Sequence, residues 1–322
     1  MRGFRLLAIA ALLGASIASA ASAETYPSRP IRIVLPFGAG GVADVSTRII
    51  AEKLGERIGQ RFVIENMPGA GGISAAKAVL SAPADGYTLG LVTNGTAISA
   101  ALFRHLPFDP TADFAMISTL GTFDLVFAVD AASPYKTLDN FVTAAKAAPG
   151  KLNVGTVTVG GTQNLAAELL KTAAGIDVQV VPFRNSPDII AALLRNDLQM
   201  LVEFPAAVKP RVDDGSLRLL ATSGRNRAAA MPDLVTAAEA GVKGYEVTSW
   251  NGLFAPRGTP ADVVDLINAN LREVLALPEI RTRLLELGIE ARASRPDELM
   301  ALLRSDQEKW DEVIVTSGIE KK

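Results

Sequence analysis

The chain of 322 residues contains no cysteine and a single histidine. The first absence excludes disulfides, thiolate nucleophiles and cysteine-held zinc or iron–sulfur centres. The second leaves His105, in the segment LFRHLPFDP, as the one imidazole open to any base or metal ligand. A lone loop histidine is more often a surface or packing residue. There is no G-x-S-x-G elbow and no H-E-x-x-H run, so serine-triad and metallohydrolase chemistry lack their usual parts. No catalytic residue, metal ligand or cofactor is assigned, and the chain is read as a non-enzyme. An excess of positive charge is also missing. With 32 basic and 34 acidic residues the formal net charge is −2, and it becomes −4 without Arg2 and Arg5. That balance offers no footprint for nucleic acid or for an anionic membrane surface.

Long apolar runs are absent beyond the amino terminus. There, Arg2 and Arg5 precede an apolar stretch from Leu6 to Ile17, followed by Ala21-Ser22-Ala23. A basic n-region, a short h-region and an A-x-A site read as a secretory signal peptide over residues 1–23, cleaved near Ala23. A retained anchor is the alternative, and the shortness of the run opposes it. An exported chain of about 300 residues without disulfides must be held by its core, most naturally as two lobes.

The most informative stretch is IRIVLPFGAGGVAD, Ile31 to Asp44. A β-branched strand ends at Pro36, and Gly38, Gly40 and Gly41 lead into a helical pattern over Val42 to Gly59. Glycines allow close backbone approach, and the free N–H groups of a first helical turn favour an anion. A second strand (Arg61 to Glu65), a glycine-rich turn, a helix (Ile73 to Ser81) and a third strand (Tyr87 to Thr93) complete a βαβαβ order. That order predicts a parallel sheet with its ligand beyond the carboxyl ends of the strands. A polar loop is expected at Thr93 to Thr96. Crossings between lobes are expected near Phe123 to Ala128 and in Tyr245 to Ala255, and Thr259-Pro260 is expected to cap a helix. The opening pattern returns at Leu152 to Ala174, where Thr158, Gly160, Gly161 and Thr162 form the second glycine turn.

Gly38-x-Gly40-x-x-Ala43, with Glu65 ending the next strand, also satisfies the spacing of a dinucleotide fingerprint. Export and the recurrence of the loop in the other half oppose that reading, and a purely structural turn is a further alternative. Phe37 and Trp250 could wall a mostly apolar cleft, with Thr96, Thr162 and Asn251 as polar anchors. Core packing is the competing account of both aromatics.

PSRPIRIVLPFGAGGVADVSTRIIAEKLGERIGQRFVIENMPGAGG, followed by APADGYTL, LPFDPTADF and WNGLFAPRGTP, resembles the periplasmic solute-binding proteins of the tripartite tricarboxylate transporter family, the Bug receptors. The resemblance covers essentially all of the chain after the signal. It implies an α/β, two-lobed type II periplasmic binding protein fold, each lobe a mostly parallel sheet flanked by helices, with two crossing segments. Lobe 1 would comprise residues 24–125 and 250–322, and lobe 2 residues 126–249. The family grips a carboxylate through loop backbone groups and ordered waters. Carried over by position, the first-lobe contacts would be Phe37, Gly38, Ala39, Gly40, Gly41, Asp44, Thr93, Asn94 and Thr96. The second-lobe contacts would be Thr158, Gly160, Gly161, Thr162, Phe183 and Glu203, with Trp250 and Asn251 at the crossing.

The implied role is that of a monomeric periplasmic receptor delivering a small carboxylate, aromatic or dicarboxylic, to the large and small membrane subunits of such a transporter. Delivery to a sensor protein is the alternative, and an exported nucleotide-dependent enzyme a more distant one. Two departures bear on the ligand: Ala97 stands where many relatives have a polar group, and Glu203 where many have aspartate. A less polar third loop suits a hydrophobic or aromatic carboxylate better than citrate.

Overall fold

The structure, a computed structural model, describes residues 26–322, and the signal segment read at 1–23 lies outside the described residues. In chain order the elements are β1 (Ile31–Leu35), α1 (Val42–Ile58), β2 (Phe62–Asn66), α2 (Ile73–Leu80), β3 (Thr88–Thr93), α3 (Asn94–Leu102), β4 (Phe114–Asp124), β5 (Val126–Asp130), α4 (Leu138–Ala147), β6 (Asn153–Val157) and α5 (Thr162–Ala174). They continue with β7 (Gln179–Phe183), α6 (Ser186–Leu194), β8 (Met200–Glu203), α7 (Pro205–Asp213), β9 (Leu217–Thr222), β10 (Thr248–Pro256), α8 (Ala261–Ala276), α9 (Pro278–Glu286), β11 (Glu290–Ala291) and α10 (Pro296–Thr316).

Two sheets result, a six-stranded one ordered β11-β4-β10-β3-β1-β2 and a five-stranded one ordered β7-β6-β8-β5-β9. Each is parallel where strands are joined through helices, as in β2-β1-β3 and β7-β6-β8. Each turns antiparallel at the strand that arrives from, or leaves for, the other lobe: β10 against β3 and β4, and β5 against β8 and β9.

Strand alternation sorts the core. In β1, Ile31, Ile33 and Leu35 face α1, α8 and α9, while Val34 joins a second cluster on the other face of the sheet. In β5, Val126 and Ala128 face α6 and α7. Phe127 and Val129 face the opposite way, into the cluster that also takes in Val34, α3, α5 and the inner face of α10. One apolar core is therefore shared by both lobes. Each large side chain fully buried in it contributes roughly 1.5–3 kcal/mol.

The chain crosses between sheets at Leu125, between β4 and β5, and returns through residues 223–247 into β10. Ser223 ties the two passages together. Its Oγ accepts from Leu125 N–H at 2.8 Å and donates to the Val247 carbonyl at 2.5 Å. Thr248 Oγ1 donates to Asp124 Oδ1 at 2.9 Å, and a Cβ on Gly224 would stand 2.2 Å from the other Asp124 oxygen, so glycine is required there. Burial pushes the Asp124 carboxyl from 3.8 up to about 6, with Glu290 and Glu246 adding to the rise and the Thr248 hydrogen bond opposing it.

The folded state thus holds the Asp124 proton more tightly than the unfolded chain, so the stability it contributes is full below about pH 4 and is lost as pH rises towards 6. Asp124→Asn should raise stability at pH 7.5 by about 2 kcal/mol, a few degrees in melting temperature, and leave it unchanged at pH 4. A melting curve at the two pH values checks this, and equal effects at both would contradict it.

The expectation that Thr259 caps α8 does not hold. Pro260 itself takes the N-cap position with φ −54° and ψ 139°, and the Thr259 hydroxyl turns back to the Pro256 carbonyl at 2.8 Å.

Candidate functional site

A cleft of about 660 Å³ opens between the lobes where the loops after β1, β3 and β6 meet. Its two ends are built alike. In the first lobe Gly40, at φ +83°, donates its N–H to Asp44 Oδ2 at 2.9 Å. In the second, Gly160, at φ +76°, donates to Asn164 Oδ1 at 3.0 Å. Each bond folds the glycine loop back over the first turn of the helix it precedes. The helix caps are Gly41 and Gly161, neither helix has a side-chain cap, and Val42, Ala43, Thr162 and Gln163 line the cleft. The unpaired N–H groups of two first turns, one per lobe, thus face one space. The third helix in the cleft differs, because a capping box closes it: the Thr93 hydroxyl accepts the Thr96 N–H of its first turn, and Thr96 Oγ1 accepts the Thr93 N–H at 3.1 Å.

Asp44 would repel an anion were it bare. Arg48 Nη2 stands 2.9 Å from its Oδ1, and Asn66 Nδ2 donates to the same oxygen at 3.0 Å. The Arg48 hydrogen bond leads the causes that hold the Asp44 carboxyl down at about 2, with Gly40 and Asn66 contributing. Asn66 also donates to the Phe37 carbonyl at 3.1 Å, so this trio fixes the glycine loop from below. Lobe 2 has the neutral Asn164 in the same place and needs no such screening.

Of the residues expected from sequence, Phe37, Gly38, Gly41, Thr93, Thr96, Thr158, Gly160, Gly161, Thr162 and Asn251 line the cleft together. Ala39 and Gly40 lie in the same loop on its exposed side. Asp44 sits beneath that loop. Phe183 ends β7, packs into the outer core of lobe 2, and holds the Thr158 N–H on its carbonyl at 3.0 Å. Glu203 is buried, accepting from Gln163 Nε2 at 2.8 Å, Ser186 Oγ at 2.6 Å and Phe204 N–H at 2.8 Å. Asn94 is buried and Trp250 is 1 % exposed, its indole nitrogen bonded to Asp306 at 2.7 Å. Strand alternation explains Trp250: Ser249 and Asn251 of β10 face the cleft, while Thr248 and Trp250 face a second crevice behind the strand.

Sequence reasoning missed the apolar walls at Ile98, Leu102, Phe103, Phe123 and Phe204, and the polar Ser99, Gln163 and Ser249. Phe123 and Phe204 come from opposite lobes, with ring centroids 5.3 Å apart. Gln163, directly after Thr162 in a first helical turn, had a usable signal in its position. Lys322 was missed too, and among the described residues it is the one ionisable residue in the cleft lining. Its backbone is pinned there by Lys322 N–H to the Leu102 carbonyl at 2.9 Å and Arg104 N–H to the Lys322 carbonyl at 2.6 Å.

The back crevice has a similar volume, about 690 Å³, but its charges are largely committed: Arg225 to Glu246 at 2.9 Å and Lys309 to Asp306 at 3.0 Å. Glu65, the acid of the dinucleotide spacing, is ion-paired with Arg32 at 2.7 Å. His105 is exposed and outside the cleft lining. Among the described residues no group of three or more His, Cys, Asp or Glu side chains could hold a metal ion, and no helix is long and apolar enough to cross a membrane.

Two α/β lobes joined by two crossings, with a ligand-sized cleft between opposed helix N-termini, define a two-lobed periplasmic binding protein fold. Known proteins agree. Residues 46–319 match the family described as the tripartite tricarboxylate transporter family receptor. The chain is 32% identical over 311 residues to the UPF0065 protein in the tcbD-tcbE intergenic region of Pseudomonas sp. (strain P51), covering 96% of this chain and 93% of that one. It is similar in structure to R. palustris Rpa4515 with adipate, with TM-score 0.80 and 32% identity over 92% of this chain and 99% of that one. MatC (Rpa3494) from Rhodopseudomonas palustris with bound malate gives TM-score 0.74 and 31% identity, over 90% and 100%. The chain belongs to the tripartite tricarboxylate transporter receptor family, a family of solute-binding receptors.

Proposed function

We propose that this chain is a periplasmic receptor that closes its lobes on a small organic carboxylate and passes it to the membrane subunits of a tripartite tricarboxylate transporter. The observation that carries the reading is the pair of uncapped first turns, at Val42–Ala43 and Thr162–Gln163, facing one cleft from opposite lobes. A carboxylate between them takes N–H donors from both lobes, so it favours the closed arrangement over the open one and shifts the population accordingly. Hydrogen bonds to a charged group are worth about 1.5–3 kcal/mol each, so three or four offset the cost of holding ligand and lobes together.

The walls describe the rest of the ligand. Phe37, Phe103, Phe123 and Phe204 suit an aromatic or extended aliphatic body, and the aliphatic dicarboxylates of the two structural relatives support that class. A second negative group on the ligand would pair with the ammonium of Lys322 in the lining. Export through the segment at residues 1–23 would bring the receptor to the compartment where such a handover occurs.

The test is the melting temperature against adipate, malate, citrate, terephthalate, benzoate, hexanoate and NAD. A ligand at one hundred times its Kd adds about 2.7 kcal/mol, which moves the midpoint by several degrees. A carboxylate is expected to give that shift, adipate more than its singly charged match hexanoate, and Lys322→Gln to remove most of the difference. A shift with NAD alone, or with citrate above every aromatic and aliphatic dicarboxylate, would contradict the reading.

A further inference from the structure

Asp306 lies on the inner face of α10, 5 % exposed, and three donors converge on its carboxylate. Trp250 Nε1 and Asn94 Nδ2 both reach Oδ2 at 2.7 Å, and Lys309 Nζ stands 3.0 Å from Oδ1. Because a carboxylate only accepts, Asn94 must turn its amide nitrogen towards Asp306, which leaves its Oδ1 facing the other way. There it accepts from Thr162 Oγ1 at 3.0 Å, and Thr162 opens α5 in the opposite lobe. A continuous run of hydrogen bonds therefore leads from lobe 2 across the cleft, through the start of α3, to the crossing strand β10. Beside it Gly160 abuts Leu102 so closely that a Cβ would stand 2.6 Å from Leu102 Cδ2, so the lobes meet at this edge.

We propose that Asp306 is a positioning residue that holds Asn94 as the catch for Thr162, and thereby couples closure of the lobes to the Trp250 indole on the crossing strand. Asn94 is fully buried, and without an anchor its amide could rotate away from Thr162. Asp306 supplies that anchor and binds the crossing strand with the same oxygen. Closing the lobes makes the Thr162 bond, and the strain or relief at Asn94 is passed to the indole through a shared acceptor. The coupling is independent of which solute binds, so it goes beyond the carboxylate reading and is tested without ligand.

Among the described residues Thr162 bonds Asn94 and Trp250 bonds Asp306, with no hydrogen bond between Thr162 and Trp250, so an effect at the indole must pass through the chain of bonds. The two tryptophans give two indole N–H resonances, and the Trp310 indole nitrogen has no hydrogen-bond partner among the described residues. Thr162→Val in the ligand-free protein is expected to displace the Trp250 resonance, bonded directly to Asp306, more than that of Trp310, which meets the same carboxylate only through Lys309, whose Nζ lies 4.7 Å from the centroid of its ring. It should also lower the closed-to-open ratio about three- to tenfold, read as a larger radius of gyration in solution scattering. Thr162→Ser, which keeps the hydroxyl, should leave both unchanged.

Asp306→Leu, which removes the acceptor, should open the lobes to a similar degree, and the Thr162→Val/Asp306→Leu double variant no further than either alone; Asp306→Asn, whose amide oxygen still accepts from Trp250 and Asn94, should open them less. A Trp250 resonance unmoved by Thr162→Val, or additive opening in the double variant, would overturn the proposal. Should the Asp306 variants not fold, the Thr162 pair decides it alone.

Discussion

Gly160→Val should weaken solute binding by more than tenfold. Gly160 has φ +76°, a conformation that costs a residue with a side chain about 1–2 kcal/mol, and a β-branched one no less. That strain alone would lower stability. The binding loss has a different source: the new Cβ points at Leu102 of the other lobe, 2.6 Å from Cδ2, and a valine there acts as a wedge at the closing edge. Gly40→Val is the control, because Gly40 has φ +83° with nothing within 4 Å of the added Cβ. Both variants should lose similar stability in urea denaturation, and Gly160→Val should lose several times more affinity by calorimetry. Equal losses of affinity would show that the loop backbone, not lobe contact, sets binding.

Glu203→Ala carries the largest expected cost in stability, about 2–4 kcal/mol. The carboxylate is 2 % exposed and accepts from Gln163, Ser186 and the Phe204 N–H, so its removal leaves three donors without a partner in the core. The same change frees the Gln163 side chain, whose residue lines the cleft, so affinity should fall as well. Glu203→Gln keeps an acceptor for Gln163 and Phe204, which share one carboxylate oxygen, while the Ser186 hydroxyl can turn to accept from the new amide, and it should cost less than half as much. Denaturant unfolding that places Glu203→Ala within about 0.5 kcal/mol of the parent would contradict this account of the side chain.

The strand, glycine turn and helix that open each lobe were legible because their signals are local: a β-branched run, a Pro or Thr stop and glycines where φ turns positive. Two helices were not. α3 begins at Asn94-Gly95, a pair that reads as a turn, and α7 contains Pro210 inside the helix, which reads as a break. In both, packing against the sheet outweighs propensity. The loops that meet at the cleft could be named from their positions after strands, whereas the tasks of individual side chains could not. Asn94 and Trp250 stand at plausible ligand-facing positions, yet their partner Asp306 is 212 and 56 residues away, on a helix with no local mark of the contact. Lys322 and Phe204 reach the cleft for reasons equally remote in sequence.

We propose that the first-turn N–H groups of α1 and α5 hold the solute carboxylate. An amide ¹H–¹⁵N titration with the carboxylate that gives the largest melting shift tests it directly. Val42, Ala43, Thr162 and Gln163 are expected to move furthest, downfield, and to saturate together with a single Kd. Largest shifts at Arg292 and Lys309 of the back crevice, with those four amides unmoved, would contradict it.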